Sequence, residues 1–206
     1  MPEPADRIAT DLLRLARDPA SGRIRNRTCL DVGLRAALFA DLAIGGQVID
    51  YAGTPAVTPL EPTGDRMLDA VRDAVARRPS VDWVRWFRYV STDCKALRNE
   101  LLTAGRWQQQ RRWPATYVDD GSDDMLALAH RLDQVARYER EPDDTREAVL
   151  TTLATTCGAT GRRPRPGAVA KELGKLVGAI PDETVRRIIK SAAVSMRQRR
   201  HGSSVT

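Results

Sequence analysis

Residues 28–44 read "TCLDVGLRAALFADLAI", and this stretch decides the fold because it is apolar on nearly every side of a helix. Leucines recur every fourth residue along one side of it. They are Leu30, Leu34, Leu38 and Leu42. Val32 and Phe39 add apolar groups on the opposite side, and a helix of this kind is buried at the centre of a domain. We therefore predict a buried central helix that ends at Gly45-Gly46.

Helical periodicity recurs on both sides of this segment, and two strand-like segments interrupt it. Helices are predicted at 5–17, 65–78, 81–90, 92–104, 123–140, 143–157, 168–178 and 182–198. Strand–turn–strand patterns are predicted within 47–62 and at 106–118. The pattern predicts a mainly α protein, with one helical domain over 1–206 and two small β-hairpins, one of them projecting.

The stretch "EPTGDRMLDAV", residues 61–71, fits either a plain helix start or a turn that cradles phosphate. Asp65 is a suitable N-cap, and Asp69 suits the positive end of the helix. Two carboxylates thus occupy the place where a phosphate would bind. We predict a helix cap here and look elsewhere for an anion site.

Charge and composition favour an anionic partner without identifying it. The formal net charge is +6, and 29 of the 33 basic residues are Arg, whose planar guanidinium binds phosphate in a bidentate manner. Nucleic acid and phospholipid headgroups are both anionic partners that suit this positive net charge. An arginine-rich composition also follows from a GC-rich genome.

Nothing in the sequence indicates an enzyme, a metal or a cofactor. His130 and His201 lack metal-ligand spacing, and there is no Walker loop, GxGxxG or Gly-x-Ser-x-Gly motif. The acidic residues of 119–124 fit a turn and helix start better than a cation site. Three cysteines without CxxC spacing, a polar start and no long apolar run predict a cytoplasmic protein.

Four motifs occur in one order and carry a family resemblance. They are "DLLRLARDPASGRIR" at 11–25, "GLRAALFADLAIGGQV" at 33–48, "PTGDRMLDAV" at 62–71 and "LRNELLTAGRW" at 97–107. Together they resemble the Golgi phosphoprotein 3 family, which has many bacterial members. The resemblance covers about residues 9–120 and is looser over 121–200, so we expect a bacterial member of this family.

The resemblance implies a peripheral membrane protein. Eukaryotic members bind phosphatidylinositol 4-phosphate and the cytosolic tails of glycosyltransferases, and their hairpin takes part in membrane contact and oligomerisation. The implied partners here are an anionic phospholipid surface, tails of membrane proteins and a second copy of the chain. The expected location is the cytoplasm, with reversible binding at the inner face of the membrane.

The family's lipid site corresponds to this chain only in part. Arg35 stands at the Arg of the GLR motif, but Asn26 stands where the family has Trp. The family's two later basic positions fall near Ser91 and Cys94. Basic residues close to these positions complete the candidate anion site. The full set is Arg23, Arg25, Arg27, Arg35, Lys95 and Arg98.

Each part of this candidate site also has a plainer interpretation. Arg35 faces a phosphate, or it pairs with Asp31 one turn earlier on the same helix. The alternate arginines of 23–27 converge on an anion, or they form a solvated basic turn.

The hairpin at 106–118 interleaves arginine with aromatic residues. Its candidate membrane or oligomer contacts are Trp107, Arg111, Arg112, Trp113 and Tyr117. The same residues fit packing on the core, or stacking on single-stranded nucleic acid. A winged-helix-like nucleic-acid-binding protein is the alternative function. It is not favoured, because the segment 29–44 is too apolar to enter a DNA groove.

Overall fold

The computed structural model describes residues 7–89, 93–161 and 174–202, and these form a mainly α fold with two small hairpins, as predicted. The helices are α1 (Ile8–Leu15), α2 (Arg27–Ile44), α3 (Arg66–Ala76), α4 (Trp83–Tyr89), α5 (Asp93–Thr103), α6 (Ser122–Ala136), α7 (Thr145–Cys157) and α8 (Glu183–Gly202). The antiparallel strand pairs are β1 (Val48–Tyr51) with β2 (Thr54–Val57), and β3 (Trp107–Arg112) with β4 (Ala115–Asp119).

Most helix boundaries lie within a few residues of the predicted ones, and one helix is shorter for an identifiable reason. The helix predicted at 123–140 ends at Ala136, because Tyr138 has a left-handed φ of 62° that cannot continue an α-helix. Most of the helix predicted at 168–178 lies outside the described residues. Its last part, 174–178, is helical.

Helix α2 runs through the core, as its all-round apolar sequence predicts. Residues 29 and 30 and all of 32–40 are buried, and Arg35 within this run is 4% exposed. Helices α1, α3, α4, α5, α7 and α8 all pack against α2. Every residue of α2 except those near its ends therefore lies inside the protein.

Aromatic side chains join α4 to the middle of α2. The Phe39 ring meets Trp83, Trp86 and Phe87 edge-on, with centroid distances of 5.2, 5.7 and 5.8 Å. The Trp83 indole N–H donates to Asp50 Oδ1 at 2.6 Å, which ties the first hairpin to the same cluster. This packing fixes α4, and with it one wall of the cavity described below.

The start of α3 is a helix cap, which confirms the interpretation of the PTGD stretch. Asp65 Oδ1 accepts hydrogen bonds from the backbone N–H groups of Met67 and Leu68, at 2.8 and 3.1 Å. Asp69 accepts from the backbone N–H groups of Thr63 and Gly64. Two N–H groups of the first turn of α3, and two of the turn before it, therefore already have protein partners.

A buried ion pair anchors the base of the second hairpin to α1. The Arg14 guanidinium donates to both carboxylate oxygens of Asp119, at 2.7 and 3.0 Å, and Trp107 Nε1 donates to the same carboxylate at 2.8 Å. Burial by itself would raise the pKa of Asp119. The hydrogen bonds from Arg14 and Trp107 outweigh burial and hold that pKa below its usual value.

We expect Asp65→Ala to lower the free energy of unfolding by about 2 kcal/mol. About 1 kcal/mol comes from the lost cap. The rest follows because Asp65 also pairs with the buried Arg7 at 2.6 Å. Asp65→Asn keeps a capping oxygen and removes the charge, so it should cost less. Urea unfolding of both variants measures the difference, and equal losses would contradict the capping role.

We expect Asp119→Asn to lower the free energy of unfolding by about 3 kcal/mol at neutral pH, because it leaves the buried Arg14 without its counter-charge. The pKa of Asp119 is lower in the folded chain than in the unfolded chain. Its contribution is therefore present above the unfolded value of about 3.9 and is lost as the pH falls through the folded value.

Urea titrations at a series of pH values test this linkage. The stability gap between the original protein and the Asn variant should narrow as the pH falls below about 4. A gap that stays constant down to acid denaturation would show that the Asp119 charge does not stabilise the fold.

Candidate functional site

A cavity of about 530 Å³ lies between α3 and α5, with α2 and α4 behind it. We call it the α3–α5 cavity. Its lining residues are Arg35, Arg66, Met67, Ala70, Val71, Ala74, Arg77, Arg78, Trp86, Ala96 and Glu100. This volume lies in the range of small-molecule sites.

Four arginines from two different directions line the α3–α5 cavity. Arg35 comes from the buried helix α2 and is 4% exposed. Arg66, Arg77 and Arg78 come from α3 and its C-terminal end, and their side chains are exposed. Arg66 and Arg77 are eleven residues apart, slightly more than three full helical turns, and therefore lie on one face of α3.

The floor between these arginines is apolar. Ala70 and Ala74 lie on the same face of α3 as Arg66 and Arg77, and Ala96 faces them from α5. Trp86 forms part of the wall and is 2% exposed. Its indole nitrogen has no hydrogen-bond partner within the described residues. Small side chains between charged ends leave space for a ligand that has an anionic and a neutral part.

Among the described residues, the lining contains one carboxylate, that of Glu100. This carboxylate lies 2.8 Å from Nη1 of Arg7, outside the lining. The four arginines outnumber the single carboxylate, so the positive charge of the cavity wall favours anions. Guanidinium groups bind phosphate through two parallel N–H donors, so a phosphate group is the anion that this wall suits best.

The structure brings one of the six predicted anion-site residues into this cavity, namely Arg35. Lys95 and Arg98 lie on α5 next to lining residues, but the lining includes Ala96 and Glu100 instead. Arg23 and Arg27 are exposed and do not line the cavity. The six residues therefore do not form one site.

Arg25 has structural partners away from the cavity. Its guanidinium lies 3.3 Å from Asp18 Oδ1 and donates to the carbonyl of Ala159, also at 3.3 Å. It lines a separate cleft of about 130 Å³ with Arg14 and Arg17. Arg17 donates there to the Tyr117 carbonyl and the Ser122 hydroxyl. These hydrogen bonds connect the loop after α1 to the second hairpin and to the start of α6.

The chain departs from the family motif at Asn26 and near Ser91 and Cys94, and the structure gives Asn26 a local role. Asn26 has a left-handed φ of 43°, and its side-chain amide donates to the Cys157 carbonyl at 2.6 Å. It ties the start of α2 to the end of α7. Cys94 is half-buried, and Ser91 lies outside the described residues.

Sequence reasoning missed Arg66, Arg77 and Arg78. Their signal was present as an Arg–Ala–Ala–Arg pattern at 66, 70, 74 and 77 on one helical face. Such a pattern is usually a solvated surface. It becomes the side of a cleft only because α5 packs opposite, and the helical period of α3 does not contain that information.

The second hairpin divides the predicted contact residues into two groups. Trp113 at its tip is 90% exposed, and Arg111 and Arg112 beside it are exposed. Trp107 and Tyr117 at its base are buried, at 1% and 2%, and their rings stack at 5.1 Å. The expectation of a surface contact therefore needs correction for these two, because their rings pack inside the protein.

Membrane-spanning helices and metal-binding clusters are both lacking in the part of the chain that the structure describes. None of its helices is long and apolar enough to cross a membrane. No group of three or more His, Cys, Asp or Glu side chains in these residues is arranged to hold a metal ion.

Comparison with known proteins identifies the family. The family model for Golgi phosphoprotein 3 (GPP34) matches residues 8–193, nearly the whole chain. No individual curated protein matches the sequence. The matched range includes α1 to α7, both hairpins and the first half of α8. The chain therefore belongs to the Golgi phosphoprotein 3 family.

Proposed function

We propose that this protein binds membranes peripherally, by holding the phosphate of an anionic phospholipid headgroup in the α3–α5 cavity. The observation that carries the proposal is the convergence of Arg35 with Arg66, Arg77 and Arg78 on one cavity. Family membership supports it, because lipid binding is what the family resemblance implies. A phosphatidylinositol 4-phosphate-like headgroup is the form of ligand that the family suggests.

The two kinds of arginine have different roles in this proposal. Arg35 is withdrawn from water, so its charge acts on a ligand through a medium of low dielectric. The exposed arginines of α3 attract an anionic surface at about 1 kcal/mol each. Arg35 therefore supplies a specific contact at depth, and the α3 arginines supply attraction at the rim.

The apolar floor accommodates the part of the headgroup that carries no charge. A ring or glycerol unit packs on Ala70, Ala74 and Ala96 while the phosphate meets the guanidinium groups. The indole of Trp86 offers an aromatic face or edge in the same wall. This division agrees with a general property of ligand sites, in which apolar walls carry a few placed polar groups.

The tip of the second hairpin supplies a second contact in the proposal. An exposed Trp flanked by two Arg suits the membrane interface, where indole rings settle at headgroup depth. The same residues suit contact with a second copy of the chain. We assign the tip, Arg111 to Trp113, to membrane contact and treat self-association as the alternative outcome.

In this proposal the protein is a non-enzymatic module at the inner face of the membrane. The proposal extends to an adaptor role, in which the protein also binds the cytosolic tails of membrane proteins. The nucleic-acid alternative is not favoured. A recognition helix must present one face to a groove, whereas α2 is covered by six other helices.

We expect Arg77→Gln combined with Arg78→Gln to weaken binding to anionic vesicles roughly 30-fold, because two charges at about 1 kcal/mol each are removed from the cavity rim. Co-sedimentation with phosphatidylcholine vesicles containing phosphatidic acid or phosphatidylinositol 4-phosphate measures the loss. Pure phosphatidylcholine vesicles provide the neutral reference.

The matched control is Arg23→Gln combined with Arg27→Gln. It removes the same charge from two exposed arginines outside the cavity. We expect a much smaller effect. Equal losses in the two double variants would indicate diffuse attraction without a site. Equal binding of the original protein to neutral and anionic vesicles would refute the lipid proposal.

We expect anionic vesicles to protect the fluorescence of Trp113 from a water-soluble quencher such as acrylamide. Trp113 is 90% exposed, and Trp83, Trp86 and Trp107 are each at most 2% exposed, so quenching reports on Trp113. Trp113→Phe is the control and should abolish the protectable signal. Protection that depends on protein concentration without vesicles would assign the tip to self-association instead.

A further inference from the structure

Glu100 is placed where it would oppose the proposed function. Its carboxylate is on the wall of the α3–α5 cavity and is 38% exposed. A free carboxylate there would repel a phosphate and would compete for the guanidinium groups as an internal counter-ion. If the cavity is to accept an anion, another group of the protein must bind the Glu100 carboxylate and keep it from the arginines.

Arg7 supplies that restraint from behind the cavity wall. Its Nη1 donates to Glu100 Oε2 at 2.8 Å and to the Met67 sulfur at 3.4 Å, and its Nε donates to Asp65 Oδ2 at 2.6 Å. The Arg7 side chain is 7% exposed. It therefore connects the start of α1 to the start of α3 and to α5.

One guanidinium serves two carboxylates here, and the burial of that guanidinium explains why it holds both. A buried guanidinium that lost its partners would be costly, so Arg7 keeps Asp65 and Glu100 close to itself. Asp65 is also used by the α3 cap and is 11% exposed. Glu100 is the more exposed partner and the one that reaches the cavity, so its position depends most on Arg7.

We infer that Arg7 is a positioning residue for the anion site: by holding Glu100, it keeps the arginines of the α3–α5 cavity available to a phosphate ligand. This inference rests on the proposed function and adds a residue that is not itself part of the cavity lining and contacts it from behind, through Glu100 and Met67. Arg7 acts by controlling an internal competitor.

A double-mutant cycle tests the inference on the full chain. Arg7→Gln should weaken binding to phosphatidic acid vesicles about fivefold or more, the equivalent of at least one charge. Glu100→Gln should bind at least as tightly as the original protein. The combination Arg7→Gln with Glu100→Gln should recover the affinity of Glu100→Gln, because the competing carboxylate is gone.

Asp65→Asn is the matched control, since it removes the other partner of Arg7 and leaves the Arg7–Glu100 pair in place. We expect its vesicle affinity to stay close to that of the original protein. Equal weakening in Arg7→Gln and in the double variant would show that Arg7 acts through the fold alone and would overturn the inference. Unchanged binding of Arg7→Gln would overturn it as well.

A second variant tests the inference even if Arg7→Gln does not fold. Glu100→Asp keeps the charge but shortens the side chain by one methylene, so the carboxylate no longer reaches Arg7. We expect it to bind anionic vesicles more weakly than Glu100→Gln, and equal affinities would overturn the inference.

If the original protein shows no preference for anionic vesicles, the proposed function fails and the inference with it. A preference without coupling between Arg7 and Glu100 refutes the inference alone.

Discussion

The burial of α2 on all sides is the constraint on which the rest of the structure depends. A helix that is apolar all round must be covered all round, and six other helices do this. The same burial takes Arg35 out of water in the middle of the helix. The guanidinium group lines a cavity beside the core, where electrostatic attraction to an anion is stronger than at a solvated surface.

Carboxylates and arginines are distributed unequally between the interior and the surface. Arg14 and Asp119 neutralise each other at the base of the second hairpin, and Arg7 is neutralised by Asp65 and Glu100. These groups hold elements together, and neither adds positive charge: the first is neutral, and the second carries one net negative charge because one arginine faces two carboxylates. The positive charge available to a partner therefore resides in other arginines, among them those that α3 presents around the cavity.

The cap of α3 connects folding to the proposed site. Asp65 ends the turn before α3, satisfies two backbone N–H groups and also binds Arg7. The orientation of α3 determines where its arginines point, and Arg7 determines where Glu100 lies. A turn that the sequence indicates as a folding device thus also supports the cavity, while Asp65 and Asp69 accept from its backbone N–H groups.

Predictions from sequence succeeded where they depended on local patterns and were incomplete where they depended on neighbours. The stripe of α2 predicted burial correctly, and the PTGD stretch predicted a cap. The arginines of 23–27 were grouped by alternation along the chain, but Arg25 turns to Asp18 and the loop after α7. The hairpin aromatic residues were treated as one surface, whereas Trp107 stacks on Tyr117 inside the protein.

The sequence by itself determined the mainly α architecture, the central helix and the capped start of α3. These depend on the period of apolar residues and on hydrogen bonds that span a few residues. Only the tertiary structure decided that Arg35 and the arginines of α3 share a cavity, and that Arg7 restrains Glu100 from 93 residues away. Contacts between distant segments depend on how helices pack, and the periodicity of a single helix carries no record of its neighbours.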